Sequence, residues 1–380
     1  MALSRRKTLA LLGGGFIVAA GAGAGREITR MPQTASAPWD AAGGYDDARL
    51  RALSYAILAP NPHNQQPWLV DLSVADEITL LVNQDKLLPH TDPFSRQITI
   101  GLGCFLEVLR MAALEDGLEA QMTLFPDGSD PAGLDARPVA RIRLVPTDAA
   151  PDPLFAHVLT RRSLKEPFDV SRPVPAASLA ALEASVPGAA VGTSVDPDTI
   201  AEFRALTTEA LEIELLTPRT FKESVDVMRI GARATDAQPD GIDLTGPMIE
   251  FARLGRQMTE AKLMDPTSMS FQQGLAATTD NTRSAMGYVW LVTASNTRAD
   301  QIATGAHWVR VNLAATAEGL GFQPLSQALQ EYPEMAALYA DIHARLAPEG
   351  GTVQMLARLG YGPDVAASPR WPLDAKVVDV

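Results

Sequence analysis

One cysteine, Cys104, stands in 380 residues. A single thiol cannot close an intramolecular disulfide, so the fold is no cystine scaffold. The five histidines (His63, His90, His157, His307, His343) lie far apart, without ligand spacing or an H-E-x-x-H segment, and no metal centre is expected. The G-x-S-x-G elbow and the P-loop are missing too, which excludes the enzyme classes built on them. Positive charge is the scarcer sign: 32 Lys+Arg oppose 45 Asp+Glu, a formal charge of −13. Five basic residues and one acid fall in the first 30 positions, so the remainder is more acidic than the whole. Such a body repels polyanions, and nucleic-acid binding is not expected. An anionic ligand would need a local arginine cluster. The apolar run Leu9–Gly25 is about 17 residues and glycine-diluted, poor for a membrane span.

What is present is ordinary for a globular protein: 46% hydrophobic and 20% charged residues, with 28 Gly and 28 Pro. The length suits two similar units or one large intimate fold. Residues 1–37 read as signal and linker. Ser4-Arg5-Arg6-Lys7 leads the apolar run, a pattern similar to a twin-arginine export signal. Ala22-Gly23-Ala24 offers a cleavage site; Ala35-Ser36-Ala37 offers another, spoiled by Pro38. The expected location is the periplasm or the outer face of the cytoplasmic membrane, reached through the twin-arginine machinery. That route carries folded proteins, which suits a cofactor loaded before export.

Along the body, the spacing of Leu50, Leu53, Ile57 and Leu58 predicts a helix over 46–58, stopped by Pro60 and Pro62. Strands are expected at Pro67–Leu72, Ile78–Val82, Val139–Val145 and Tyr288–Thr293. Helices are expected at Gly101–Gly117, Pro153–Thr160, Ala176–Ala184, Pro197–Leu216 and Gly305–Gly319. Residues 217–275 hold five of the twelve methionines without clean periodicity and read as an insertion, a candidate lid. Gly103, Ala112, Ala113, Gly117 and Leu118 repeat as Gly305, Ala314, Ala315, Gly319 and Leu320, every position offset by 202. The repeat predicts a duplicated α+β unit, with halves at 38–150 and 151–380. Cys104 falls in a buried helix pattern and reads as an inert core thiol.

Two segments carry chemistry. Pro60-Asn61-Pro62-His63-Asn64-Gln65-Gln66-Pro67-Trp68 is a rigid turn loaded with amide side chains. Arg161-Arg162-Ser163-Leu164-Lys165 gathers three cations and a hydroxyl in an acidic protein. Arginine forks match phosphate oxygens bidentately; the plainer alternative is a solvated charge run. Near the end, Ser368-Pro369-Arg370 presents one further arginine.

At these residues the sequence resembles the nitroreductase family of flavin enzymes, in particular its fused, Acg-like branch. The 161–165 run is similar to that family's phosphate motif, and 61–68 to its S-x-x-N-x-Q-P-W turn. Asp92-Pro93…Arg96, Pro324-Leu325-Ser326-Gln327 and Ser368-Pro369-Arg370 extend the resemblance over roughly residues 45–378. It implies FMN held between two tandem α+β units that mimic a homodimer. It places Arg161, Arg162, Ser163 and Arg370 at the phosphate and Lys165 at the pyrimidine edge. Asn61, Pro62, His63, Asn64 and Gln66 come from the other half, and Pro324, Leu325 and Ser326 lie near flavin N5. Asn61 and Pro62 stand where the family usually has serine, so a hydroxyl contact is lost. Asn83 and Lys86 also resemble a flavin-contact stretch.

Each half carries only one of the two motifs, so one FMN per chain is expected. The implied activity is an FMN-dependent oxidoreductase, taking electrons from NAD(P)H or another donor to a nitro, quinone or enone acceptor. The competing reading is a non-catalytic FMN-binding or storage protein closed by the 217–275 lid. An unrelated α/β hydrolase-like binding protein is a third, disfavoured by the missing nucleophile motif.

Overall fold

The computed structural model describes residues 28–379; the twin-arginine segment and Ala22-Gly23-Ala24 lie outside them. The first half runs α1 (Ala37–Ala41), α2 (Ala48–Ala56), β1 (Trp68–Asp71), β2 (Glu77–Val82), α3 (Arg96–Glu115), β3 (Leu118–Leu124) and β4 (Ala140–Pro146). The second runs α4 (Ala176–Ala184), β5 (Ala190–Ser194) and α5 (Pro197–Leu216), then a long excursion. The excursion comprises α6 (Pro218–Asp226), β6 (Met228–Ile230), α7 (Ala232–Ala237), β7 (Ile242–Leu244), α8 (Pro247–Leu254), α9 (Glu260–Leu263) and α10 (Met269–Arg283). It returns through β8 (Gly287–Thr293), α11 (Arg298–Ala317), β9 (Gly321–Pro324), α12 (Ala336–Leu346), β10 (Thr352–Gly360) and β11 (Val377–Val378).

The fold is α+β, and its two main sheets share one plan. Strand order is β1-β2-β4-β3 in the first and β5-β8-β10-β9 in the second, every neighbouring pair antiparallel. In each, a helix precedes the edge strand and a twenty-residue helix follows the second strand. The C-terminal β11 then crosses back and pairs in parallel with β1, so the second half's tail completes the first half's sheet.

Helices α3 and α11 pack against each other at the centre, with Trp68, Phe105 and Leu109 sharing a core with Trp308, Val309 and Phe322. At the crossing Gly103 faces Gly305. A Cβ on Gly103 would overlap the carbonyl oxygen of Ile302, and a Cβ on Gly305 that of Ile100. These contacts are reciprocal at the same offset of 202. Arg96 and Arg298 obey it too, each reaching from a helix start into the opposite half. Arg96 donates to the Leu329 and Gln354 carbonyls, both at 2.6 Å. Arg298 donates to the Phe94 carbonyl at 2.7 Å.

Both central helices start earlier than their apolar spacing predicts. Asp92 accepts the Gln97 and Ile98 amides at 3.0 and 2.9 Å, opening α3 at Arg96. A Thr297–Asp300 capping box opens α11 at Arg298. Their polar first turns hide the start from a periodicity argument. The helix expected over Pro153–Thr160 is only a 3₁₀ turn, Pro153–His157, because Pro153 starts it and little apolar surface holds more. The excursion is more ordered than its sequence suggests: short helices pack around a small core of Phe221, Val225, Leu263 and Phe271. The apolar length of α3 is buried inside the protein.

Candidate functional site

Residues 61–66 form a strained turn between α2 and β1. His63, Asn64 and Gln66 take φ of 47°, 52° and 49°, a region costing side-chain-bearing residues of order 1 kcal/mol each unless surroundings impose it. Here they do. Asn61 Oδ1 accepts the Gln66 amide at 2.7 Å, and the turn sits on α3 at Gly101, whose missing side chain admits Asn61 and Pro62. Gln66, fully buried, donates to the Pro239 carbonyl at 2.7 Å and accepts the Trp371 amide at 2.9 Å. Its polar atoms are spent clamping the turn to the excursion and to the C-terminal tail.

The arginines converge above this turn. Arg370, buried, donates to the carbonyls of Ile57, Leu58 and Ala59 at 2.9, 3.0 and 3.0 Å and to Asn64 Oδ1 at 2.5 Å. Arg161, also buried, donates to the same Leu58 carbonyl at 3.1 Å and weakly to Asn312 of α11 at 3.4 Å. Arg162 and Arg370 both lie over the Trp39 ring, 5.0 and 5.4 Å from its centroid. No ion pair among the described residues involves any of these three arginines. Burial pushes Arg161 down to about 10, and burial together with Arg161's charge pushes Arg370 down to about 9. Guanidiniums held by carbonyls alone, repelling one another, form a site whose electrostatic complement is an anion.

Other groups lie close by. His63 Nδ1 is buried without a partner; burial and the Lys165 charge lower its pKa to about 4, leaving the ring neutral. The exposed Lys165 also acts on Asp243 of β7, whose carboxyl is raised by burial and lowered by Lys165 and Arg370. Ser163 is half-buried beside them. Pro324 ends β9 opposite Ala357, the Leu325 amide donates to Leu356 at 2.8 Å, and Ser326 opens a 3₁₀ turn. Leu164 docks on the same strand, its amide donating to Phe322 at 2.9 Å. Ser326 therefore lies four residues on from that docking point, roughly 13 Å along an extended chain. Cys104 is an inert core thiol: burial drives it to about 12, and its Sγ donates to the Gly305 carbonyl.

Two covers close the site. Residues 33–42 form a strap: Asp236 of the excursion accepts the amides of Gln33, Thr34 and Ala35 at 2.8, 2.9 and 3.2 Å. Trp39 Nε1 donates to the Ser368 carbonyl at 2.8 Å, and the Arg370 amide to Ala35. The excursion itself is pinned where the Gly241 amide meets the Asn64 carbonyl at 3.0 Å. Beside it, buried Asp240 accepts from Lys86, Arg229 and Trp371 at 2.7, 2.6 and 2.9 Å. Lys86 is thus committed to an ion pair, and Asn83 caps a short turn. Trp39, Asp236, Asp240 and Asn312 were not among the sequence candidates. Only Asn312 left a signal there, as an amide set between Val311 and Leu313 on α11.

No family model matches the chain. It is 33% identical over 124 residues to an uncharacterised protein of Mycobacterium tuberculosis, 31% of this chain and 35% of that one, so the chain spans about a third of that relative's length. A provisionally named NAD(P)H nitroreductase of the same organism, Acg, matches far more broadly: 27% identity over 335 residues, 85% of this chain and 93% of that one. Over most of its length the chain is thus similar to proteins named as nitroreductases. Among solved structures, the FMN-dependent nitroreductase NfnB from Mycobacterium smegmatis, in complex with NADPH, shares 19% identity at a TM-score of 0.35, covering 57% of this chain and 92% of its own. A nitroreductase structure from Anabaena variabilis shares 11% identity at a TM-score of 0.43, covering 90% and 91%. In this chain the turn at 61–66 and the arginines at 161 and 370 come together from opposite halves, whereas the Gln66 side chain is taken up by Pro239 and Trp371.

Proposed function

We propose that this chain is an exported FMN-binding oxidoreductase of the nitroreductase type, with one FMN per chain in the cleft between its halves. The observation that carries the reading is the arginine cradle: Arg161, Arg162 and Arg370 gathered with only carbonyls, amides and an indole as partners. A riboflavin phosphate is the ligand whose charge these groups complement. The fit extends along the cleft, where neutral His63 offers an unpartnered Nδ1 and Lys165 offers positive charge.

Arg161, Arg162, Ser163 and Arg370 would hold the phosphate, and Asn64 would orient Arg370. Asn61 and Pro62 set the turn that carries His63. Lys165 would favour negative charge at the near edge of the ring, while Leu325 and Ser326 would wall its far end. When bound, FMN supplies hydride chemistry, from NAD(P)H or another donor to a nitro, quinone or enone acceptor. The strap and the excursion exclude water from the cradle.

The one-site stoichiometry follows from a tandem duplication. Its support is the shared strand order, the matched central helices and the reciprocal contacts at an offset of 202. Export rests on the basic start with its adjacent arginines, and the partners would be the twin-arginine machinery and an electron donor.

A second reading, a non-catalytic FMN store, draws on how firmly the cover is pinned through Asp240 and the Gly241–Asn64 bond. Anaerobic mixing of the yellow protein with NADPH or NADH separates the two. Bleaching within seconds is the oxidoreductase outcome, persistent colour is the storage outcome, and a colourless protein that takes up no FMN overturns both.

A further inference from the structure

A second buried polar cluster lies away from the arginine cradle, where α5 and α6 meet the loop after β9. Its centre is Glu214, 4% exposed. Gln330 Nε2 donates to Glu214 Oε2 at 2.7 Å, and Thr220 Oγ1 donates to the Glu214 carbonyl at 2.7 Å. Around this carboxylate four buried oxygens have no hydrogen-bond partner: Ser224 Oγ, Gln327 Oε1, Gln330 Oε1 and Tyr332 OH. Ser224, Gln330 and Tyr332 are themselves 4%, 4% and 5% exposed. Native interiors seldom leave even one such oxygen unpaired, and four beside one carboxylate mark a place built for something else.

The chemistry of the set narrows the occupant. Burial raises the Glu214 carboxyl to about 7, and the groups that act on it are Gln330, Gln327, Glu223 and Ser224, none of them a cation. The nearby Glu223 is fully used elsewhere, accepting the His90 and Thr91 amides at 2.9 Å and the Thr91 hydroxyl at 2.6 Å. Arg219, which lies over the Tyr332 ring, is paired with Glu334. Above a pH of about 7, what remains is one buried negative charge with amide and hydroxyl oxygens and no nitrogen or sulfur ligand, a hard donor set. A single proton could satisfy one of the two amide oxygens but not both. A cation of one positive charge satisfies both, balances the carboxylate and engages the hydroxyls.

We propose that Glu214, Ser224, Gln327, Gln330 and Tyr332 bind a monovalent metal cation, sodium or potassium. The site joins α5 and α6 to the loop that begins at Ser326, so an ion there fixes that loop against the second sheet. The proposal does not depend on FMN.

The test compares melting temperatures of the purified full chain, at fixed pH near 8, in about 150 mM NaCl, KCl or tetramethylammonium chloride. Bound sodium or potassium should raise the midpoint by about 2–4 °C over the bulky cation, and Glu214→Gln should abolish the difference between salts. A rubidium-soaked crystal should show an anomalous peak in contact with Glu214. Equal melting in all three salts, as expected for water alone in the chamber, overturns the proposal. So does an ion effect that survives in Glu214→Gln, or a larger effect from calcium or magnesium at matched ionic strength.

Discussion

Replacing Arg161 by methionine should separate ligand binding from folding, because the two effects have opposite signs. Arg161 is pushed from the ordinary 12.5 to about 10, and Arg370 to about 9. At about 1.4 kcal/mol per pKa unit, keeping each charged costs the fold roughly 3–5 kcal/mol. Both are cations with depressed values, so this cost is fully present at neutral pH and is relieved only as the pH climbs past about 9. Methionine removes Arg161's own cost and its repulsion of Arg370. It gives up a bond to the Leu58 carbonyl, which Arg370 still satisfies, and a long one to Asn312, together about 1–2 kcal/mol. The FMN-stripped variant should therefore be more stable than the stripped wild type, by about 1–2 kcal/mol in urea unfolding. FMN affinity should fall by about 1.5–3 kcal/mol through the lost charge-assisted hydrogen bond, roughly ten- to a hundredfold in a fluorescence titration. A stripped variant that loses more than about 2 kcal/mol of stability while binding FMN normally would refute the reasoning, making Arg161 a structural clamp.

Gly103→Val should disrupt the α3–α11 crossing, since a side chain there overlaps the Ile302 carbonyl. A loss of about 3 kcal/mol or outright misfolding is expected, read by calorimetry. Asp236→Ala removes the acceptor of three backbone amides in the strap; limited proteolysis should cut residues 33–42 faster and FMN should dissociate sooner, with the global unfolding midpoint little changed. His63, held near 4, binds fewer protons folded than unfolded between about 4 and 6.5. Stability should thus fall as pH drops through that window, by about 2 kcal/mol between pH 7 and 5. His63→Gln should flatten that slope in urea titrations of the FMN-free protein.

Much of this was legible in the sequence where one residue dictates one geometry. The repeat at an offset of 202 marked two matched helices, but that its glycines Gly103 and Gly305 are where the two backbones touch was visible only in the structure. The two prolines and the amides of 60–66 announced the turn, and three arginines in an acidic chain announced the cradle. Strands β5, β9 and β10 were not read, since short or fully buried strands alternate too weakly to stand out from neighbouring helices; β3, where Leu118, Ala120, Met122 and Leu124 alternate with polar residues, carried a readable pattern that was missed. Gln66 looked like a ligand contact because a buried clamp and a cofactor contact require the same amide. The roles of Trp39, Asp236 and Asp240 depend on segments from 131 to 329 residues apart in sequence meeting in space, which local pattern does not encode. Lys86 pairs with Asp240 for the same reason.

The central claim is that two unlike halves build one anion-binding cleft. The most direct measurement is the mole ratio of FMN to chain, from flavin absorbance after release against protein mass, on protein saturated with FMN and freed of excess. One FMN per chain is the predicted result, falling below one under the same washing in Arg161→Met. Two per chain would mean that each half holds its own site, and none would mean that the arginines serve another purpose.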